Sequence, residues 1–193
     1  MAAVSVEPGR QWDYLLNTWL ELDVPEGWRA EIDEGEIRLV PPPNVGHNVI
    51  AGKVHRALLA CLPPEVGVYQ TLGTEIVPLE KLYVPDLVVV DDARLVEQEA
   101  SIDASGLLMA VEITSKRTAR LDRTKKLWAY GHAPVPIFLL VDRFDEEGPT
   151  VTLFSEPDQG RYQRGVRTPF GQPVALPAPF AIELRTEGFP AAK

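Results

Sequence analysis

Along the chain the apolar positions shift between helical and alternating periods. Over 10–23, Trp12, Leu15, Leu16, Trp19 and Leu20 recur at helical spacing and predict an amphipathic first helix. Residues 28–33 and 36–40 read as the arms of a β-hairpin around Glu34-Gly35, with the glycine supplying the turn. Pro41-Pro42-Pro43 ends it. Asn44 is suited to cap a second helix running to Leu62, with Val45, Val49, Ile50, Val54, Ala57, Leu58 and Cys61 on one side, and Pro63-Pro64 stops that helix. Strand-like segments follow at 67–72, 74–79 and 83–90, with Gly73 as the turn between the first two. A polar, acidic stretch over 91–105 reads as a loop with a short helix. Next come a strand over 107–114, a helix over 118–132 closed by Gly131, Pro134 and Pro136, and a wholly apolar strand over 137–141, of the kind buried on both faces. From Pro149 onward, alternating segments between Gly- and Pro-rich turns predict an antiparallel extension of the sheet, and 187–193 should fray. The 193 residues show no repeat, low-complexity segment or linker, so residues 1–193 are expected to form one domain.

Two acids interrupt this pattern. Asp86 follows Pro85 and precedes Leu87-Val88-Val89-Val90, and Glu112 sits inside Leu107-Leu108-Met109-Ala110-Val111-Glu112-Ile113. A carboxylate in a core strand costs several kcal/mol unless it is paired or bound to a metal. Two such acids on neighbouring strands, helped by a backbone carbonyl such as that of Ile113, would hold one hard divalent cation. That is the chemistry of a magnesium-dependent phosphodiesterase. The plainer readings are an aspartate bonded to a turn at the start of its strand, and a glutamate exposed on an edge strand.

Composition narrows the function classes. No apolar run approaches the roughly 20 residues needed to span a bilayer, and residues 1–8 lack the basic and apolar regions of a signal peptide, so a cytoplasmic protein is expected. Cys61, the one cysteine, is expected to be a small core residue, and it argues against a zinc site; His55 and His132 have no partner at metal-ligand spacing. The net charge of -9 argues against a large nucleic-acid footprint, yet it is uneven. Residues 115–126 carry +5 through Lys116, Arg117, Arg120, Arg123, Lys125 and Lys126 against Asp122, and the rest of the chain carries -14. This basic island directly follows the strand that holds Glu112. Asp122, Lys126 and Tyr130 recur at i, i+4 and i+8 as one stripe, read either as an exposed ion pair or as a row turned toward the acids, with Leu121 and Trp128 packing on the sheet.

In order, Glu31-Ile32-Asp33 with Gly35-Glu36, Pro41-Pro42 with His47, Val84-Pro85-Asp86, Val111-Glu112-Ile113-Thr114-Ser115, Asp122, Lys126, Tyr130-Gly131 and Leu139-Leu140-Val141-Asp142 form a pattern that resembles the PD-(D/E)XK nuclease superfamily. More closely, it is similar to the bacterial Uma-two family, labelled restriction endonucleases. The resemblance runs from about residue 21 to 184. It implies an α/β, restriction-endonuclease-like fold: a central mixed β-sheet flanked by helices, with a C-terminal antiparallel extension. It further implies Asp86 and Glu112 as metal-binding acids, with Mg2+ or Mn2+ as the cofactor, and a lysine completing the site. The superfamily pattern sets that lysine two residues after the glutamate, where this chain has Thr114; in this family it has moved to the following helix, at Lys126. On this reading Asp86, Glu112 and Lys126 are catalytic, and the metal sits on Asp86, Glu112 and Ile113. His47, Ser115, Arg120, Asp122, Arg123 and Tyr130 contact substrate, and Glu31, Glu36 or Glu75 is available as a further acid. The partner implied is nucleic acid, DNA in particular; no membrane is involved, and a homodimer stays open. The rivals are a nuclease-fold protein without activity that acts through protein–protein contacts, and a regulatory dimer whose acids bind metal only for stability.

Overall fold

A computed structural model describes residues 9–96 and 100–192. Helix α1 (Arg10–Glu21) lays Trp12 on Ile32, Leu82 and Val84. The hairpin β1 (Arg29–Asp33) and β2 (Glu36–Val40) turns through Glu34 and Gly35, both at positive φ (53° and 74°), a conformation that needs glycine most at the second position. Helix α2 (Val45–Leu59) is capped by Asn44, whose side chain accepts from the His47 amide at 3.0 Å. It ends at Leu59 rather than Leu62. Its inner face is His47, Ile50, Ala51, Val54 and Leu58, whereas Val45 and Val49, expected inside, are exposed. Cys61 is half-buried.

The strand-like segments divide between two sheets. β3 (Val66–Tyr69) and β6 (Leu87–Asp91) join β8 (Leu107–Ile113), β9 (Ile137–Asp142), β10 (Thr150–Asp158) and β11 (Arg161–Pro169) in the order β11-β10-β9-β8-β6-β3. β8 and β9 run parallel, and the other neighbours antiparallel. β4 (Gly73–Ile76), β5 (Lys81–Tyr83) and β7 (Ser101–Asp103) join the hairpin in the order β2-β1-β5-β4-β7. The expected strand over 83–90 is thus cut in two. Pro85 has no amide to donate, so pairing stops there and the chain crosses from one sheet to the other. Gly73 is likewise not a turn between paired strands: β3 and β4 lie in different sheets, and Gly73 opens β4. The 91–105 stretch contributes β7, parallel to β4, with residues 97–99 outside the described residues.

The parallel pair β8–β9 is bridged by α3, a composite helix of α-helical Ala119–Leu121, π-helical Asp122–Lys126 and α-helical Leu127–His132. Its inner face is Ala119, Asp122, Lys126, Ala129 and Tyr130; Trp128, expected to pack on the sheet, is exposed and lies against His132. The polar stripe takes the inner face because buried acids on the sheet offer it partners. On the opposite side of the sheet, α2 packs on Leu87, Val89, Met109 and Val111. After the β10–β11 extension, β12 (Val174–Leu176) and β13 (Ile182–Leu184) form a separate ribbon. The C-terminal stretch expected to fray is anchored as far as it is described: Phe189 is buried against Phe170, and Arg143 donates to the carbonyls of Pro190 and Ala191. Among the described residues no helix is long and apolar enough to cross a membrane.

Asp33 ties the smaller sheet to α3. Its buried carboxylate accepts from Lys81 Nζ and from Tyr83 Oη at 3.0 Å, and pairs with Lys125 and Arg38, each at 3.2 Å. Burial alone would raise this carboxyl, but these donors outweigh it and hold Asp33 below its ordinary value of 3.8. Its stabilisation is therefore complete above pH 3.8 and is lost as pH falls through the lower folded value. Asp33→Asn should reduce the unfolding free energy by about 2–3 kcal/mol at pH 7. Urea unfolding at pH 7 and pH 3 should show the deficit shrinking in acid; a deficit independent of pH would contradict the assignment.

Candidate functional site

The strand register sets the two acids side by side. Leu87 pairs with Val111, Val88 with Ala110 and Val89 with Met109. The ladder ends there: the Asp86 amide donates to the Val111 carbonyl at 3.1 Å and the Ile113 amide to Asp86 Oδ2 at 2.8 Å, which leaves Asp86 beside the Glu112–Ile113 end of β8. Strand alternation fixes the face of Glu112. Ala110 belongs to the core on the α3 side, and Glu112 points the same way and meets Lys126 and Tyr130, whereas Asp86, one residue ahead of β6, meets Arg29 of β1 and His47 of α2. Both acids line a cavity of about 250 Å³ between the triproline loop, the start of α2 and the β8–α3 connection.

Asp86 is densely bonded. Its Oδ1 accepts from Arg29 Nη1 at 3.0 Å, and its Oδ2 from the Ile113 amide at 2.8 Å; His47 Nε2 stands 2.9 Å from the same Oδ2. Arg29 also donates to the Val84 carbonyl at 3.1 Å, which fixes the crossing of the chain on both sides of Pro85. Burial pushes the Asp86 carboxyl up, but His47, Arg29 and the Ile113 amide override it and hold the group below its ordinary value.

Glu112 has the opposite balance. Its Oε1 accepts from Lys126 Nζ at 3.0 Å and from Tyr130 Oη at 3.2 Å, and among the described residues Oε2 accepts nothing. Burial, opposed by Lys126 and reinforced by the charges of Asp122, Asp86 and Glu31, lifts the Glu112 carboxyl well above the ordinary range. Lys126 reaches Glu31 Oε1 at 2.9 Å as well, and the same oxygen takes the Val84 amide at 3.1 Å. Burial would push the Lys126 ammonium down, yet Glu112, Glu31 and Asp122 hold it well above the ordinary lysine value, so it is charged. Tyr130 is buried beneath Glu112, and its phenol stays protonated.

The buried side-chain polar atoms left without a partner among the described residues are Arg29 Nε, His47 Nδ1 and both carboxylate oxygens of Asp122. All belong to residues lining this one cavity. Such orphans are rare and mark strain, function or a missing ion. Asp122 lies 3.8 Å from Lys126 Nζ, beyond hydrogen-bond range; Thr118 is close enough to favour its charged form without making a hydrogen bond of ordinary geometry. Burial, partly opposed by Lys126, lifts its carboxyl to about 6.

Four acids (Glu31, Asp86, Glu112, Asp122) thus face two bases, Arg29 and Lys126, an excess of two acidic groups. That excess, the orphaned oxygens and the all-oxygen acid set fit a hard divalent cation. Among the described residues no three His, Cys, Asp or Glu side chains already converge in ligating positions, because Lys126 stands between the acids and Arg29 and His47 occupy Asp86.

Of the residues singled out in the sequence, the cavity gathers His47, Asp86, Glu112, Ile113, Ser115, Asp122 and Lys126, with Tyr130 beneath. Arg120 and Arg123 lie outside it. Arg120 is exposed, and Arg123 grips Asp142 at 2.5 and 2.9 Å and the Phe144 carbonyl at 2.8 Å. Of the three further acids, Glu31 joins the site, Glu36 is exposed beside Arg38, and Glu75 bonds Ser101 in the smaller sheet. Thr114, at the position expected of lysine, ties the strand ends together, donating to Asp142 Oδ1 at 3.1 Å and accepting from the Arg143 amide at 2.9 Å. Arg29 was missed. Its one signal is phase, since it shares a strand face with Glu31 and Asp33.

Comparisons with known proteins bear on the family and the fold. The family model Uma2, described as "Putative restriction endonuclease", matches residues 16–187. A crystal structure of a "putative nuclease" of the DUF820 group from Anabaena variabilis superposes with a TM-score of 0.70, covering 90% of this chain and 96% of that one. At 20% identity this likeness concerns the fold alone, a mixed α/β architecture. No curated protein matches the chain. With nearly its whole length matched by one model, the chain belongs to the Uma2 family of restriction-endonuclease-like proteins.

Proposed function

We propose that the chain is a metal-dependent, endonuclease-like phosphodiesterase acting on nucleic acid, DNA in particular, through one restriction-endonuclease-like domain. The observation that carries this reading is Lys126, whose buried ammonium is held 3.0 Å from Glu112 and 2.9 Å from Glu31 at the wall of a cavity shared with Asp86. An ammonium so placed is fixed in its charged form, which suits stabilisation of the charge developing on a phosphoryl group rather than proton abstraction. Asp86, Glu112 and the Ile113 carbonyl would hold Mg2+ or Mn2+, and the bound ion supplies Lewis acidity and a water of lowered pKa. Asp86 also keeps Arg29 and His47 in the cavity wall, where the unpartnered Nδ1 of His47 is available to a phosphate oxygen or a water. Ser115, Lys116, Arg117 and Thr118 line the same cavity at the β8–α3 connection and would meet the phosphate backbone. One observation favours the inactive rival: Arg123 and Lys125 of the basic island are engaged with Asp142 and Asp33, so fewer bases remain for phosphate.

Plasmid DNA should be nicked by the protein with Mg2+ or Mn2+ and left intact in chelator. Glu112→Gln and Lys126→Ala, each checked for folding by circular dichroism, should slow nicking at least about 100-fold. Nicking that survives in either variant would remove that residue from the reaction, and no nicking by the unaltered protein with either metal would favour the inactive rival.

DNA binding should be weak and salt-dependent. Replacing Lys116 and Arg117 together by alanine should flatten the slope of log affinity against log salt by about 2, measured by fluorescence anisotropy in chelator. An unchanged slope would locate the phosphate contacts elsewhere.

A further inference from the structure

On its outer side α3 carries Trp128, 45% exposed, at the rim of a second pocket of about 290 Å³ between the helix and the β10–β11 hairpin. Both walls are aromatic: Trp128 on the helix, Phe154 and Tyr162 on the hairpin. The hairpin wall is fixed from beneath. Phe138 stacks on Phe154 and Tyr162 with ring centroids 6.0 and 6.4 Å away, and the Tyr162 hydroxyl donates to the Val135 carbonyl at 2.9 Å. Trp128 leans on His132, with ring centroids 4.0 Å apart. Two glycine positions shape the slot. A Cβ at Gly131 would stand 2.9 Å from the Gly160 carbonyl oxygen, so the end of α3 sits directly on the hairpin turn. Gly165, opposite Phe154 in the ladder, has no side chain to cover that ring, which a Cβ there would meet at 3.2 Å.

Charge adds a direction. Arg161 lines the pocket, is exposed, and has no carboxylate partner among the described residues. The same holds for Lys116, Arg117 and Arg120, at the cavity mouth and along the outer face of α3. Thr124, which lines the pocket, donates to the Arg120 carbonyl at 2.7 Å, so the basic strip and the aromatic slot meet on one helix face. In a chain of net charge -9, this face alone joins uncommitted bases to open aromatic rings.

We propose that this slot takes an unpaired nucleobase of a single strand that runs along α3 from the cavity, with Arg161 and Arg120 on its phosphates. Aromatic faces that stack bases beside cations that track the backbone are the elements of a single-strand platform. A duplex keeps its bases turned inward, and an apolar peptide would leave Arg161 unanswered. A free nucleotide offers the same ring and phosphate, but the strip leading back to the cavity favours a strand. From Thr118 to Trp128 the helix rises about 15 Å, the reach of about four stacked nucleotides at about 3.4 Å each. The proposal names the form of nucleic acid taken by the phosphodiesterase reading, and rests on that reading only for what happens to the strand in the cavity.

The test is fluorescence anisotropy of a labelled oligothymidylate of about 12 nucleotides in chelator, within the size range of single-strand platforms. The unaltered protein should bind it more tightly than a duplex of equal length, and far more tightly than thymidine monophosphate. Trp128→Ala should weaken strand binding at least about 5-fold, the lower end of what one stacked base contributes, and Trp128→Phe should restore most of it. Arg161→Ala should flatten the slope of log affinity against log salt by about 0.7. Tyr14→Ala, which removes an exposed ring on α1, should change neither. Should Trp128→Ala fail to fold, Arg161→Ala, at an exposed position, carries the test. Unchanged strand affinity in both variants would overturn the proposal, and so would equal binding of duplex or of the mononucleotide. No strand binding, with a dimer in analytical ultracentrifugation that Trp128→Ala splits, would overturn it in favour of a second copy of the chain. Strand binding that depends on Trp128 and Arg161 without any nicking of DNA would uphold the platform and overturn the phosphodiesterase reading instead.

Discussion

The structure depends on one buried cation. The Lys126 ammonium sits between Glu112 of the main sheet and Glu31 of the smaller one, with Asp122 of its own helix nearby. Isolated, each of these groups would lose several kcal/mol by leaving water, and they are buried at modest cost only together. Their mutual requirement joins three elements at the polar end of a core to which Tyr83, Ala110 and Tyr130 also belong. It also explains why α3 turns a polar stripe inward and leaves Trp128 outside. On a straight α-helix, positions i, i+4 and i+8 drift around the axis, and the π-turn offsets that drift so that Asp122, Lys126 and Tyr130 all face the acids.

A second set of constraints holds the opposite wall. Arg29 and His47, from β1 and α2, converge on Asp86 where Pro85 interrupts the pairing. The chain must change sheets there, and the backbone groups freed by the change are taken up by side chains: the Val84 amide by Glu31 and its carbonyl by Arg29. The site is therefore also the seam between the two sheets. That position accounts for the burial of so many charges, and for a cavity whose walls are tied together by side-chain hydrogen bonds.

Much of this was legible in the sequence. The first helix, the Glu34-Gly35 hairpin, the Asn44 cap and the strands carrying Glu112 and ending at Asp142 follow from periodicity and turn chemistry, which are local. An acid within an apolar run is likewise a local signal, and it marked Asp86 and Glu112. What stayed hidden depends on distant partners. Alternation over 83–90 cannot reveal that Tyr83 and Leu87 join different sheets. Reading apolar residues as inward-facing misplaced Trp128 and Val45, because polar partners across the sheet decided the phase of α3, and His47 and Ala51 took the inner side of α2. The basic island looked like a phosphate-binding face, yet Arg123 and Lys125 are claimed by Asp142 and Asp33, acids 19 and 92 residues away. The C-terminal stretch shows no pattern of its own that foretells its anchoring by Arg143 and Phe170.

The claim that Lys126 is the keystone of the site is tested most directly by the unfolding free energy of Lys126→Met, measured in urea at pH 7 without metal. Methionine keeps the apolar stem and removes the charge, leaving Glu112 and Glu31 buried against each other. The account predicts a loss of about 3–5 kcal/mol, with most of it recovered when Glu112→Gln and Glu31→Gln are added. A loss below about 1 kcal/mol, the level of an exposed ion pair, would contradict it.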